Sequence, residues 1–141
     1  MRELFSEELL LTLPADHPLT RKRTVSASDL EGEALIVMKE GHCLGDQVLN
    51  FRDRSDLHPN ISFRSAQLET IQSLVCADHG SFADSRNGGE TRAAQCPALS
   101  IVLLASAHSK VVAAWPKQRP PGRAATEFLK IISARFEKSS R

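Results

Sequence analysis

Gly41-His42-Cys43-Leu44-Gly45-Asp46 is the segment whose residue types and order come nearest to chemistry. It follows a short apolar run and leads into apolar residues at helical spacing, so its thiol falls where a helix begins. Unpaired amides and the positive end of the helix dipole at such a start favour thiolate over thiol. His42 adds positive charge when protonated, and Gly41 and Gly45 let the backbone approach a small ligand closely. Cys43 therefore suits oxidation by a small oxidant, with His42 and Asp46 as its neighbours. A buried cysteine acting as a small hydrophobe is an equally open reading of the same position.

A second candidate is Ser65-Ala66-Gln67-Leu68-Glu69-Thr70, where Ser65 can cap a helix. The free N–H groups of such a helix start form an anion pocket at the edge where open α/β sheets bind ligands. Gly41, Ser65 and Gln67 are thus the candidate ligand-binding residues for a small polar or anionic effector, although simple capping explains Ser65 equally well. Cys76 reads as part of an apolar helix surface with Leu68 and Val75, and Cys96, beside Pro97, carries little information. Cys76 and His79 have a ligand-like spacing, and Cys43, His42 and Cys96 could complete a zinc site on paper. No second close pair accompanies them, so no metal is expected. Glycine-rich phosphate loops, Gly-x-Ser-x-Gly elbows and paired helical His ligands are missing, and Gly88-Gly89 has no helix after it. The expectation is a protein without cofactor and without catalytic residues, not an enzyme.

The elements that hold these segments alternate. Leu9–Leu13, closed by Pro14, and Ala34–Met38 are short apolar runs of the buried-strand kind, and 14–28 is a loop. Ser28–Glu33 makes one helical turn that Gly32 ends. Leu44, Val48, Leu49 and Phe51 mark a helix, Ile61–Arg64 a strand, and Leu68, Ile71, Leu74 and Val75 a second helix. Strand, helix, strand, helix with short links predicts an α/β layer with a mostly parallel sheet. From Asp78 to Pro97 the only large apolar side chain is Phe82, so 78–98 reads as irregular. A connection of that length is uncommon, since most run about 4–6 residues. Leu99–Leu104 and Val111–Trp115 then read as two strands. Ala125, Phe128, Leu129, Ile132 and Phe136 form the stripe of a closing amphipathic helix.

The whole composition narrows the classes. With 141 residues, 41% hydrophobic and 25% charged, the chain is that of one globular domain, and a net charge of +1 gives no pull toward nucleic acid or anionic membrane. No apolar run approaches the roughly 18 residues that span a bilayer. The start of the chain is too acidic for a signal peptide, so a cytoplasmic protein with no membrane partner is expected. Its three cysteines, an odd number, should be thiols there.

Four elements in register carry a resemblance: Leu13-Pro14-Ala15-Asp16-His17-Pro18-Leu19, Asp29-Leu30-Glu31-Gly32-Glu33, Glu40-Gly41-His42-Cys43-Leu44, and Phe63-Arg64-Ser65-Ala66-Gln67-Leu68-Glu69-Thr70. Together they resemble the effector-binding half of LysR-type transcription regulators, and the Gly-His-Cys-Leu element resembles their peroxide-sensing OxyR group. The resemblance covers Leu9 to Ala77 and resumes from Val111 to Phe136. It implies an α/β, periplasmic-binding-protein-like (type 2) regulatory lobe, here incomplete. Residues 1–13 would cross from a missing first lobe, 14–110 would form the second lobe, and 111–141 would be the return strand and last helix. A homo-oligomeric transcription activator is implied, with DNA reached only through a helix-turn-helix domain not contained in these residues.

By the same resemblance, Cys43 matches the thiol that peroxide attacks, and His42 and Asp46 match its neighbours. The group's arginine shortly after that thiol is Gly45 here, and its partner cysteine is Arg52, so the usual intradomain disulfide cannot form. A single-cysteine sensor stopping at sulfenic acid or a mixed disulfide is left. After Ala77 the family's apolar strand is replaced by Asp78-His79-Gly80-Ser81-Phe82-Ala83, which suggests a frame disruption or an exchanged segment. The expected function is peroxide sensing through one cysteine. The alternatives are a sensor of a small organic anion, a thiol peroxidase, and a non-functional remnant weakened by loss of a central strand.

Overall fold

A computed structural model describes residues 1–39, 43–54, 56 and 58–139 and, within those, the side chains other than at 43, 44, 47, 49, 52, 87 and 137–139. The strands are β1 (Arg2–Pro14), β2 (Thr24–Val25), β3 (Ala34–Met38), β4 (Asn60–Ser65), β5 (Ser81–Ser85) and β6 (Leu99–Ala113). The α-helices are α1 (Cys43–Arg54), α2 (Leu68–Cys76), α3 (Arg86–Gln95) and α4 (Arg123–Ser139), with 3-10 turns at Pro18–Arg21 and Ala27–Leu30. Glu8–Ala107 forms one compact unit, and Met1–Glu7 with His108–Arg141 a second.

The strands lie in the order β2-β6-β1-β5-β3-β4. β3 runs parallel to both β4 and β5, β2 runs parallel to β6, and β1 is antiparallel to β5. Parallel neighbours need a crossover, and α1 supplies one between β3 and β4. The sheet is mixed α/β and mostly parallel, as the alternation of elements predicts. Side chains alternate across it: Leu9, Leu11, Leu13, Leu35 and Val37 share one core cluster with Val48 and Phe51 of α1. Ile36, Met38 and Phe82 join Ile71 and Val75 of α2 in the other. β3, apolar at every position, is covered on both faces for this reason.

The expectation that 78–98 is irregular is overturned. Ser81–Ser85 is a central strand, with Thr12 of β1 opposite Phe82 and Ile36 of β3 on its other side. Ser81, Phe82, Ala83 and Asp84 are all buried. The Asp84 carboxylate is kept there by Arg92 of α3, with which it forms an ion pair, and by the Ser85 amide at 2.8 Å. The absence of a helix at Gly88-Gly89 is also wrong, because both lie in α3, capped by Ser85. A helical glycine costs about 1 kcal/mol against alanine, which hides this helix from a pattern reading. Packing selects glycine: a Cβ at Gly88 would stand 2.7 Å from Asp84 Oδ1, and one at Gly89 3.3 Å from Leu10 Cδ1. The central strand thought lost is therefore present.

Three smaller corrections follow. The two strands expected at 99–104 and 111–115 are one, β6, with Ser106 at φ 59° inside it. The strand expected at 9–13 begins at Arg2. The 14–28 loop contains a 3-10 turn and β2.

In the second unit, Lys110 pairs with Glu3 at 3.0 Å and the Ser6 hydroxyl donates to the Ser109 carbonyl at 3.3 Å. Phe5 stacks on Phe136 of α4, ring centres 3.9 Å apart. Of the rest of the α4 stripe, Leu129 and Ile132 are half-buried, while Phe128 is 61% exposed, as is Ile131 outside the stripe at 65%.

Candidate functional site

Parallel β3 and β4 deliver their carboxyl ends to the same edge of the sheet, where Met38 pairs with Ser65 and the Lys39 amide donates to the Ser65 carbonyl at 3.0 Å. Each strand is followed there by a helix start, α1 at Cys43 and α2 at Leu68. Asp46 is exposed in the first turn of α1. Gly41 and His42 lie outside the described residues, as does the side chain of Cys43.

Gly45 does something other than admit a ligand. A Cβ on it would come within 2.8 Å of the Met38 carbonyl oxygen, so this glycine lets the first turn of α1 press against the end of β3. Ser65 is not the cap of α2, since Gln67 holds that position in an extended conformation without a side-chain cap bond. The Ser65 hydroxyl instead accepts from the Gln67 amide at 3.1 Å, a local turn that steers the chain from strand to helix. The Thr70 hydroxyl donates to Gln67 Oε1 at 3.3 Å. Ser65 and Gln67 are thus brought together beside the α1 edge, engaged with their own backbone and each other's neighbours.

The motifs around this edge are largely scaffolding. His17 Nδ1 accepts from the Leu19 amide at 3.2 Å and its Nε2 lies 3.5 Å from Glu33, tying the first turn to the loop before β3. Asp29 receives bonds from the Ser26 amide and hydroxyl, each at 2.9 Å, and pairs with Lys22. The Lys22 bond, then the Ser26 bonds, hold its carboxyl down at about 2. Gly32 turns the chain at φ 75°, a left-handed conformation that glycine adopts without cost. Beneath α1 a small apolar gap is lined by Leu11, Leu35, Val37, Val48, Phe51 and Ile61 among others. Without a polar group in its wall, it offers nothing to a charged effector.

Cys76 departs from the sequence reading, and Cys96, on which the sequence said little, turns out to lie beside it. Cys76 is exposed at the last residue of α2 rather than packed in the core. Cys96 is the C-cap of α3, half-buried against the second core cluster. Their sulfurs are 3.5 Å apart. Partial burial, then the Cys96 thiol beside it, push the Cys76 thiol above its ordinary 9.0. No spacing rule could have paired them, because the pairing depends on β5 and α3. Among the described residues, no group of three or more His, Cys, Asp or Glu could hold a metal ion. No described helix is long and apolar enough to cross a membrane.

Comparison with known proteins adds ancestry to this geometry. The family model for the LysR substrate binding domain matches residues 1–137. Over 77 residues, 55% of the chain, the sequence is 38% identical to the DNA-binding transcriptional dual regulator OxyR of Escherichia coli K12 and to the hydrogen peroxide-inducible genes activator of Dickeya chrysanthemi. Those matches span only 25% of each relative's length. The reduced OxyR regulatory domain of Pseudomonas aeruginosa is similar over 94% of this chain and 64% of its own, at TM-score 0.70 and 26% identity. The regulatory domain of the Neisseria meningitidis regulator MetR shares the fold over 95% of this chain and 62% of its own, at TM-score 0.75 and 22% identity.

Proposed function

The chain belongs to the LysR substrate binding domain family, and from that premise we propose that it senses peroxide through Cys43. The matched relatives are transcription regulators rather than enzymes, so the chain is a regulatory domain. One observation carries the redox reading: α1, described from Cys43 to Arg54, follows β3 in the chain, in a sequence 38% identical over 77 residues to hydrogen peroxide-inducible activators. A helix start supplies unpaired amides and positive dipole, which hold a thiol ionised and reactive.

The chemistry is a single oxygen transfer. Cys43 thiolate attacks hydrogen peroxide, giving sulfenic acid and hydroxide, which takes up a proton to become water. With Arg52 at the position of the usual partner, the product stops there or is capped by a low-mass thiol. His42 and Asp46 tune the thiol, and Gly41, Ser65 and Gln67 are the ligand-binding residues of this reading, Ser65 and Gln67 standing at the sheet edge where β4 ends. Displacement of α1 then passes the signal to a DNA-binding domain in the complete, oligomeric regulator. Residues 1–13 and 111–141 act as the strands and helix that join this lobe to the other. The lobe itself is 14–110.

Mass spectrometry after brief exposure of the reduced chain to peroxide tests this. Sulfenic acid trapped at Cys43 well ahead of Cys76 and Cys96 is the expected result, and equal reactivity of the three thiols refutes it. Binding of a metabolite anion that survives Cys43→Ser, without selective oxidation, would transfer the role to the effector-binding reading.

A further inference from the structure

We propose that Cys76 and Cys96 are a dithiol pair that low-mass disulfides oxidise to an intramolecular bridge, separate from and independent of the Cys43 reading. The carrying observation is the 3.5 Å separation of two sulfurs that stand 20 positions apart in sequence. A disulfide bond is about 2.05 Å long, so closure asks for roughly 1.5 Å of sulfur travel, within reach of small χ1 rotations. Both residues sit at helix ends, Cys76 closing α2 and Cys96 capping α3. Cys76 is exposed and Cys96 half-buried, which sets their order of action.

The reaction balances as two exchanges. Cys76 thiolate attacks a low-mass disulfide such as oxidised glutathione, expelling one thiolate and leaving a mixed disulfide on Cys76. Cys96 thiolate then attacks the Cys76 sulfur and expels the second thiolate. Two protein thiols lose two electrons, the small disulfide gains them, and both protons pass to the released thiols. Partial burial and the C-terminal end of α2 keep Cys76 mostly protonated. A thiol of that kind is scarce as thiolate but strongly nucleophilic once ionised, which suits slow exchange with disulfides rather than rapid capture of peroxide.

The bridge closes a loop around β5 and α3, the segment that supplies the central strand. Constraining a loop of about 20 residues in the unfolded chain shifts the folding equilibrium by roughly two orders of magnitude toward the folded form. Oxidation therefore staples the part of the lobe whose composition supports it least.

The test uses the 141-residue chain carrying Cys43→Ser, which leaves Cys76 and Cys96 as its only thiols. Oxidised glutathione is added, free thiols are then labelled, and non-reducing peptide maps are read by mass spectrometry. The expected product is a monomer that has lost two hydrogen masses and both labels, contains a 76–96 linked peptide, and reverts with reductant. Bridging should be about tenfold or more faster in buffer than in urea, where a closed loop must form by chance. A stable glutathione adduct on one cysteine with the other still labelled, disulfide-linked dimers alone, or bridging no faster in buffer than in urea would each overturn the proposal. Cys43 selectivity can fail without touching any of these readouts, and the reverse also holds.

Discussion

Replacing Arg92 by methionine tests why an acidic residue can occupy the middle of the sheet. Asp84 is 2% exposed, and its carboxylate has two partners, the Ser85 amide and the Arg92 guanidinium. Arg92→Met keeps an unbranched stem near the Phe82 ring, over which the guanidinium carbon lies at 5.8 Å, and removes the charge. Leaving one member of a buried pair uncompensated costs about 3–5 kcal/mol. The buried carboxyl can escape by taking up a proton, which at pH 7, some three units above an ordinary aspartate, costs about 4 kcal/mol at 1.36 per unit. Protonation is always open as an escape, so about 4 kcal/mol is the ceiling at pH 7.

The sign follows from linkage. The unfolded chain releases this proton near pH 3.9, whereas the variant's folded state retains it, so destabilisation grows as pH rises above that value. Urea unfolding of both proteins should show a loss of about 4 kcal/mol at pH 7 that shrinks to roughly 1.5 at pH 5. Adding Asp84→Val, which makes the pair apolar, should restore most of the stability. A loss under about 1 kcal/mol at pH 7 would mean that the pair behaves as a surface contact. A pH-independent loss would assign the effect to packing instead. Either result refutes the reasoning.

Gly80 has φ 149°, and a Cβ there would stand 2.8 Å from the Ala34 carbonyl oxygen. Gly80→Ala should therefore cost about 2–4 kcal/mol in thermal unfolding. At Gly32, left-handed at φ 75° but with nothing within 4 Å of a Cβ, alanine should cost only about 1 kcal/mol. Gly45→Ala gains helix propensity of about 1 kcal/mol but meets the Met38 carbonyl at 2.8 Å, so a net loss of about 1–2 kcal/mol is expected. Gly45→Arg, which installs the arginine of the peroxide group, should lose more, and a more stable Gly45→Arg would contradict the close approach of α1. Asp29, held down at about 2, contributes stability that is present above the ordinary carboxyl value of 3.8 and lost as pH falls toward 2. In Lys22→Ala its NMR titration midpoint should move up toward 3.8.

Much of the lobe was legible because local pattern and tertiary role agree there. Ala34–Met38 is apolar at every position because α1 and α2 cover opposite faces, and the α1 start after it is visible as a change of period. Ser65 misled because its hydroxyl serves equally as a cap or as the turn that precedes one, and only backbone geometry separates these. Gly45 was visible as a glycine, but the partner that requires it, the Met38 carbonyl, was not.

What the sequence determined by itself is therefore the alternation of buried strands and amphipathic helices, and with it the family and the position of Cys43. The alternation follows from periodicity over neighbouring residues, and the family and the place of Cys43 from the resemblance carried by four motifs in register. The tertiary structure alone decided that Ser81–Ser85 is a central strand, that two glycines belong in α3, and that Cys76 meets Cys96. Each of these depends on contacts between residues far apart in the chain, where a buried ion pair and close packing outweigh weak local propensity.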